Sequence, residues 1–217
     1  LRELAEPLAE AGLMRVNVNL PSTRRSVYAY ITGVDALPRV VEGMRRAADA
    51  GLRLKINFVL LRGLNSDELP RLVVLAAELG ADINLIELEP IAITWDFFNR
   101  FFEPAEEALR RLGLDIVGVS ARTDLHTRPV YVLSNGVRIE VISWLNQASF
   151  CLRCTRVRLT SDGVLRYCIA DPRGVDLKPC LEKRDEGCVE EGFRRVNALR
   201  RPFWLYAGKS LPPLSSD

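Results

Sequence analysis

No cysteine occurs in the first 150 residues of this 217-residue chain; the first of the five is Cys151. A C-x3-C-x2-C motif is therefore absent throughout. Histidine occurs once, as His126, so a metal site completed by histidine has a single candidate. No run of about 18 apolar residues is present to span a bilayer, and no basic segment with an apolar stretch and cleavage site marks a signal peptide. The formal net charge is only +2, too weak a field to point to nucleic acid. These absences describe a cytoplasmic protein without a membrane or nucleic-acid partner. Lysine is scarce (four, against 26 arginines) and Gln147 is the only glutamine; a GC-rich genome or a hot habitat accounts for either. The chain opens on Leu1 rather than methionine, and LRELAEPLAEAGL reads as the inside of a helix. The expectation is a fragment with residues missing upstream.

What is present is ordinary globular material, 48% hydrophobic, long enough for one domain plus an appended lobe. Leu1 to Gly12 has helical periodicity. RVNVNL, from Arg15, alternates as a strand. VDALPRVVEGMRRAADAGL predicts an amphipathic helix stopping at Gly51. Leu52 to Leu61 is a second strand, NSDELPRLVVLAAELGA a helix with Asn65 or Ser66 as N-cap, and Asp82 to Leu88 a third strand. Strands and helices alternating in this way predict βαβ units and a parallel sheet. Fully buried parallel strands favour Val and Ile, yet Asn17, Asn19, Lys55, Asn57, Asn84 and Glu87 fall within these three. Six such residues imply a polar lumen or a site at the mouth of a barrel.

After Pro104 the pattern changes. A short helix, PAEEALRRLGL, leads to strands Asp115–Val119, Arg128–Leu133 and Val137–Ile142, with a hairpin signal at Ser134-Asn135-Gly136. Turns rather than helices connect them, so antiparallel pairing is expected. The division drawn from the sequence is 1–103 for the alternating part and 104–217 for the remainder, whose tail LPPLSSD reads as disordered.

The segment FCLRCTRVRLTSDGVLRYC places Cys151, Cys154 and Cys168 at C-x2-C-x13-C spacing. Its Ser161-Asp162-Gly163 turn folds VRLT back on VLRYC and returns Cys168 toward the first pair. Three thiolates suit iron–sulfur or zinc and leave one position open. Alternatives remain: three neutral core cysteines, or a structural zinc site completed by His126. Arg156 and Arg158 alternate on a strand beside the cysteines and face one side, where they could hold an anion or form a solvated basic face. Lys55 lies between Leu54 and Ile56 and is costly to bury without an anion; the alternative is a lysine reaching solvent. Cys180 and Cys188 match no ligand pattern. They are read as structural or incidental, able to pair but with nothing requiring it.

On RVNVNLPS, YAYITGVDALPRVVEGMRRAADAGL, LKINFVLLRGLNSDE, NLIELEP and above all FCLRCTRVRLTSDGVLRYCI, the chain resembles the molybdenum cofactor biosynthesis protein A family, the radical SAM GTP 3′,8-cyclases, from its start to about residue 182. The resemblance implies an α/β fold, part of a (β/α)6 TIM-like barrel with a C-terminal antiparallel, cluster-binding extension. It implies a lyase that converts GTP to 3′,8-cyclo-7,8-dihydroguanosine triphosphate for a downstream cyclic pyranopterin synthase. By motif, Cys151, Cys154 and Cys168 would hold a 4Fe-4S cluster, and Lys55, Arg156 and Arg158 would contact GTP. S-adenosylmethionine and a second 4Fe-4S cluster are expected only in the full-length protein. This sequence departs from the family at the SAM contacts, where Asn19 and Glu89 replace the expected serine and methionine, and in its tail AGKSLPPLSSD, which lacks the terminal glycine pair. The 217 residues alone are therefore expected to be inactive. A non-catalytic iron–sulfur or nucleotide-binding module and a zinc-stabilised structural domain are the rival readings. An exposed sheet edge leaves a homodimer open.

Overall fold

The computed structural model describes residues 1–122, 128–143, 152 and 154–201. His126, Cys151 and the tail lie outside them. Packing divides the chain into two compact units: residues 1–123 with 128–143, and residues 124–127 with 144–217. The boundary at 103/104 read from the sequence separates helix-connected from turn-connected segments; packing groups the turn-connected strands with the first unit.

In the first unit the elements run α1 (Ala5–Glu10), β1 (Arg15–Asn19), α2 (Arg25–Thr32), α3 (Leu37–Asp49), β2 (Arg53–Leu60), α4 (Leu69–Glu78), β3 (Asp82–Glu87), α5 (Trp95–Phe101), α6 (Ala105–Leu112), β4 (Ile116–Arg122), β5 (Arg128–Leu133) and β6 (Arg138–Ile142). They form an α/β fold around one six-stranded mixed sheet of order β1-β2-β3-β6-β5-β4. β1, β2, β3 and β6 are parallel, while β4, β5 and β6 form an antiparallel meander. The expected antiparallel pairing is present. Beyond it, β6 joins the meander to the parallel strands by pairing with β3, a contact that no local pattern announces. The helices predicted to stop at Gly51 and Gly80 do so at left-handed φ of 77° and 59°, where a Cβ would be strained. α2 and α5 are additional short helices; α5 is capped by Thr94, which accepts the Phe97 N–H.

Side chains alternate across the pleat, and the two faces of the sheet differ sharply. Leu54, Ile56, Phe58 and Leu60 of β2, Ile83 and Leu85 of β3, and Ile139 and Val141 of β6 are buried in one cluster with residues of the helices. At about 1.5–3 kcal/mol per buried large aliphatic or aromatic side chain, this face supplies the unit's cohesion. The opposite face of the parallel strands carries Asn17, Asn19, Lys55, Asn57, Asp82, Asn84 and Glu140. Helices on one side and a polar surface on the other is the arrangement of an arc of a β/α barrel; the sheet is open among the described residues. Glu87 belongs to the apolar side, a correction to its placement in a polar lumen. It is buried and accepts the Ala105 N–H at 2.9 Å, so it caps α6.

Buried polar side chains fix the loops at the C-terminal ends of β1 and β2. Asn65 caps no helix with its side chain, contrary to expectation. Its amide donates to the carbonyls of Pro21 and Val59 and accepts from the Leu61 N–H. The buried Glu68 carboxylate accepts from the Ser22 and Thr23 hydroxyls, the Thr23 and Arg24 N–H groups and Arg24 Nε. A charge placed there satisfies the orphan donors at the start of α2.

The second unit contains β7 (Arg158–Leu159), β8 (Val164–Arg166), β9 (Val175–Asp176), α7 (Lys178–Lys183) and α8 (Glu186–Ala198). Its three short strands are antiparallel in the order β7-β8-β9. Leu165, Tyr167, Val175, Leu177, Cys180 and Val196 make a small core. Cys180 and Cys188 are joined in a disulfide, their Cα atoms 5.5 Å apart, so the pair left open by the sequence is formed. Inside this core the Tyr167 hydroxyl donates to Asp171, and Arg173 reaches Asp171 at 2.6 Å and the Tyr167 oxygen at 3.0 Å. Burial raises the Asp171 carboxyl, but hydrogen bonds from Arg173 and Tyr167 outweigh it and hold the pKa at about 2. The same burial, with the carboxylate beside it, pushes the Tyr167 phenol far above its usual range.

A depressed carboxyl stabilises the fold above its unfolded pKa, near 3.9, and loses that contribution as pH falls through its folded value. Wild type is therefore expected to exceed Asp171→Asn by on the order of 2 kcal/mol near neutrality. The difference should close as pH falls from about 4 to about 2, measured by denaturant unfolding at each pH.

Candidate functional site

In the first unit the polar face is organised by strand register. Asn19, Asn57, Asn84 and Glu140 are successive partners across β1, β2, β3 and β6. Asn57 donates to Asn19 at 3.0 Å and Asn84 donates to Asn57 at 2.7 Å, so three amides chain sideways across the sheet. Each such bond contributes only about 1 kcal/mol net, but together they satisfy polar groups that would otherwise weaken a parallel sheet. Asn84 is buried, and its Oδ1 has no partner among the described residues.

The row ends in a charge cluster. Glu140 is buried, and Lys55 Nζ donates to one of its oxygens. Arg128 reaches the other oxygen at 2.7 Å, and Arg122 approaches at 3.4 Å. Burial raises the Glu140 carboxyl, and hydrogen bonds from Lys55 and Arg128 overcome this and leave it below the ordinary value. Lys55 pairs in register with Asp82. Two carboxylates, Glu140 and Asp82, thus stand among Lys55, Arg122 and Arg128 on this face. Thus the cost foreseen for Lys55 is met by Glu140 rather than by solvent. Arg122, Arg128 and Glu140 escaped sequence reasoning, because a carboxylate on a strand 85 residues from Lys55 has no local signature.

In the second unit the turn at Ser161-Asp162-Gly163 forms the β7–β8 hairpin, with Arg158 opposite Arg166 and Leu159 opposite Leu165. Directly opposed residues share a face. Leu165 is buried in the core, so Arg158 and Arg166 stand on the other side. Like charges directly opposed are unfavourable unless an anion screens them. Gly174 lies beneath; a Cβ there would meet Leu165 O at 2.8 Å and Arg166 Cγ at 3.1 Å, so its bare backbone admits the arginine stem. The ladder ends at Arg158 and Arg166, so Cys154 and Arg156 precede it on one arm and Cys168 follows Arg166 by two residues on the other. Cys154 and Cys168 are both half-buried.

The donor set is chemically suited to iron–sulfur: Cys154 and Cys168, on the segments that flank the β7–β8 hairpin, and Cys151 three residues before Cys154 in the sequence. With Cys151 outside the described residues, no group of three His, Cys, Asp or Glu ligands gathers among them. Of the remaining candidates, Asn19 and Lys55 belong to the first unit, and Arg156 and Arg158 to the second. Glu89 is half-buried two residues past β3. No described helix is long and apolar enough to cross a membrane.

Replacing Glu140 by Gln would leave Lys55, Arg122 and Arg128 without their central carboxylate. Uncompensated buried charge typically costs about 3–5 kcal/mol. Glu140→Gln is expected to lower stability by about 3 kcal/mol or more, and Lys55→Met by clearly less, because two arginines still face the carboxylate. Chemical denaturation of the two variants checks the order.

The family described as Molybdenum Cofactor Synthesis C matches residues 81–204. The chain is 40% identical to a probable GTP 3′,8-cyclase of Pyrobaculum aerophilum, covering 95% of this chain and 68% of that protein. A second probable GTP 3′,8-cyclase, from Thermococcus kodakarensis, is 37% identical over 94% of this chain and 68% of its own length. One from Aeropyrum pernix is 40% identical over 93% and 58%. A solved radical SAM methyltransferase from Sphaerobacter thermophilus aligns with 52% of this chain and 33% of its own, at 22% identity and a TM-score of 0.41. The chain spans about two thirds of the length of the first relatives, and the family match alone covers more than half of it. On these grounds the chain belongs to the GTP 3′,8-cyclase family of molybdenum cofactor synthesis.

Proposed function

We propose that these residues supply the substrate side of a radical SAM GTP 3′,8-cyclase. The observation that carries the reading is the β7–β8 hairpin. It sets Arg158 and Arg166 on one face, and it joins the segment that carries Cys154 and Arg156 to the one that carries Cys168. The names of the relatives support GTP as the substrate. Guanidinium groups recognise phosphate oxygens through paired N–H donors. Arg156, Arg158 and the newly identified Arg166, all of the second unit, would grip the triphosphate; Lys55, held by Glu140 in the first unit, is a GTP contact on the family motif alone. Cys151, Cys154 and Cys168 would ligate the 4Fe-4S cluster. Asn19 and Glu89 take the SAM-facing positions, with amide and carboxylate in place of hydroxyl and thioether.

When bound, S-adenosylmethionine with its own cluster supplies the radical that abstracts a ribose hydrogen, and the three-cysteine cluster supplies an iron open to the base. The chain's own residues fix the nucleotide, neutralise its phosphates and hold the thiolates. Since C-x3-C-x2-C is absent, residues 1–217 alone are expected to bind GTP without turning it over.

The test is anaerobic reconstitution with iron and sulfide, followed by EPR of the reduced cluster with and without GTP and calorimetric titration with GTP and with inorganic tripolyphosphate. A cluster signal that changes on GTP addition is expected, together with an affinity that falls as salt rises. Arg158→Ala should weaken nucleotide binding on the order of tenfold, the scale of one charge-assisted contact. A colourless chain that retains zinc would overturn the cluster assignment. Equal affinity of wild type and Arg158→Ala would overturn the triphosphate site.

A further inference from the structure

We infer that Arg200 is a positioning residue for the cysteine hairpin. The inference rests on the reading of Cys154 and Cys168 as cluster ligands. Arg200 follows the C-terminal end of α8, 46 residues after Cys154, and its guanidinium is half-buried. Nη1 donates to the Cys154 carbonyl at 2.7 Å, and Nη2 donates to the Arg156 carbonyl at 3.0 Å. Nε reaches the Asn197 side chain at 3.3 Å. The guanidinium carbon also stands 5.9 Å from the centroid of the Tyr167 ring, within cation–π range. Tyr167 immediately precedes Cys168, and its hydroxyl is fixed by Asp171 and Arg173.

One planar group therefore touches both cysteine-bearing segments, the Cys154 segment through two carbonyls and the Cys168 segment through the neighbouring ring. Residues 154–157 form no strand, so they take their conformation from such contacts rather than from a ladder. The forked geometry matters: arginine presents several N–H donors in a fixed plane, whereas lysine offers a point charge. By holding the Arg156 carbonyl, Arg200 also orients a residue assigned to the triphosphate. α8 is itself tied to α7 by the Cys180–Cys188 disulfide, which gives the guanidinium a rigid base. A cluster site works only if its ligands are held before the metal arrives; Arg200 supplies that hold from outside the ligand set.

The test compares wild type with Arg200→Gln, Arg200→Lys and, as a control on the preceding helix α8, Arg194→Ala, which removes only exposed pairs with Glu190 and Glu191. Two quantities are read. Alkylation of Cys154 and Cys168 by iodoacetamide in the metal-free chain is followed peptide by peptide, with amide exchange across the unit. Iron retained after reconstitution and a chelator challenge is read separately. Arg200→Gln should accelerate alkylation of both cysteines on the order of tenfold, the scale of losing two charge-assisted hydrogen bonds, and should lose iron faster. Faster amide exchange should be confined to residues 154–158 and 165–168. Arg200→Lys should fall between, and Arg194→Ala should match wild type.

Unchanged alkylation in a folded Arg200→Gln chain overturns the inference. Faster exchange throughout the unit also overturns it, by making the role a general structural one. Should Arg200→Gln fail to fold, Arg200→Lys decides alone: wild-type alkylation in that variant overturns the inference. If alkylation responds but even wild type takes up no iron, the positioning role stands and the cluster reading fails.

Discussion

Burying the Glu140 carboxylate within a sheet is tolerable only because cations from three other strands converge on it. Lys55 comes from β2, Arg122 from β4 and Arg128 from β5, while Glu140 sits on β6, the strand that pairs with both β3 and β5. The constraint works in both directions. A carboxylate taken out of water needs partners, and the partners can reach it only if β6 joins the parallel strands to the meander in this register. A one-residue slip would turn Glu140 into the apolar layer and Ile139 or Val141 onto the polar face. The charge cluster thus specifies register.

That surface also explains why parallel strands can carry so many amides. Asn19, Asn57 and Asn84 bond to one another, so neighbouring amides hold one another's orientation on the polar face. Function and folding share this arrangement. The apolar side binds helices and supplies cohesion, and the polar side is left to chemistry. The second unit follows the same rule at smaller scale, with Leu165 and Tyr167 turned into its core and Arg158 and Arg166 turned away from it.

Much of this was readable in the sequence where the signal is local. Alternation in RVNVNL and LKINFVL gives the strands, glycines give the helix ends, and C-x2-C-x13-C with its turn gives the hairpin. What escaped is carried by contacts distant along the chain. Glu68 looks like a helix-start acid, yet it serves Ser22, Thr23 and Arg24 more than 40 residues earlier. Glu87 shares a strand with Asn84 but lies across the pleat from it, and grouping the two by residue type hid the difference. Arg200 sits in an arginine-rich stretch where composition singles out no member. The Cys180–Cys188 pair depends on two short helices meeting, which the spacing permits without requiring.

The disulfide also raises a problem of chemical sorting. A unit with five cysteines in its sequence, two joined in a disulfide and Cys154 and Cys168 kept as thiols, must direct oxidation to the right pair. Loop-closure entropy favours the nearest partner, and the Cys180–Cys188 separation is eight residues. Against rivals 12 and 26 residues away, Cys168 and Cys154, the shorter loop gives a preference of roughly twofold and sixfold. The Cys188 N–H is bound to the Asp185 side chain in the first turn of α8, which fixes the backbone of this disulfide partner. For Cys180 the local partner is thereby preferred over the two hairpin cysteines, and a disulfide formed there leaves Cys154 and Cys168 as thiols.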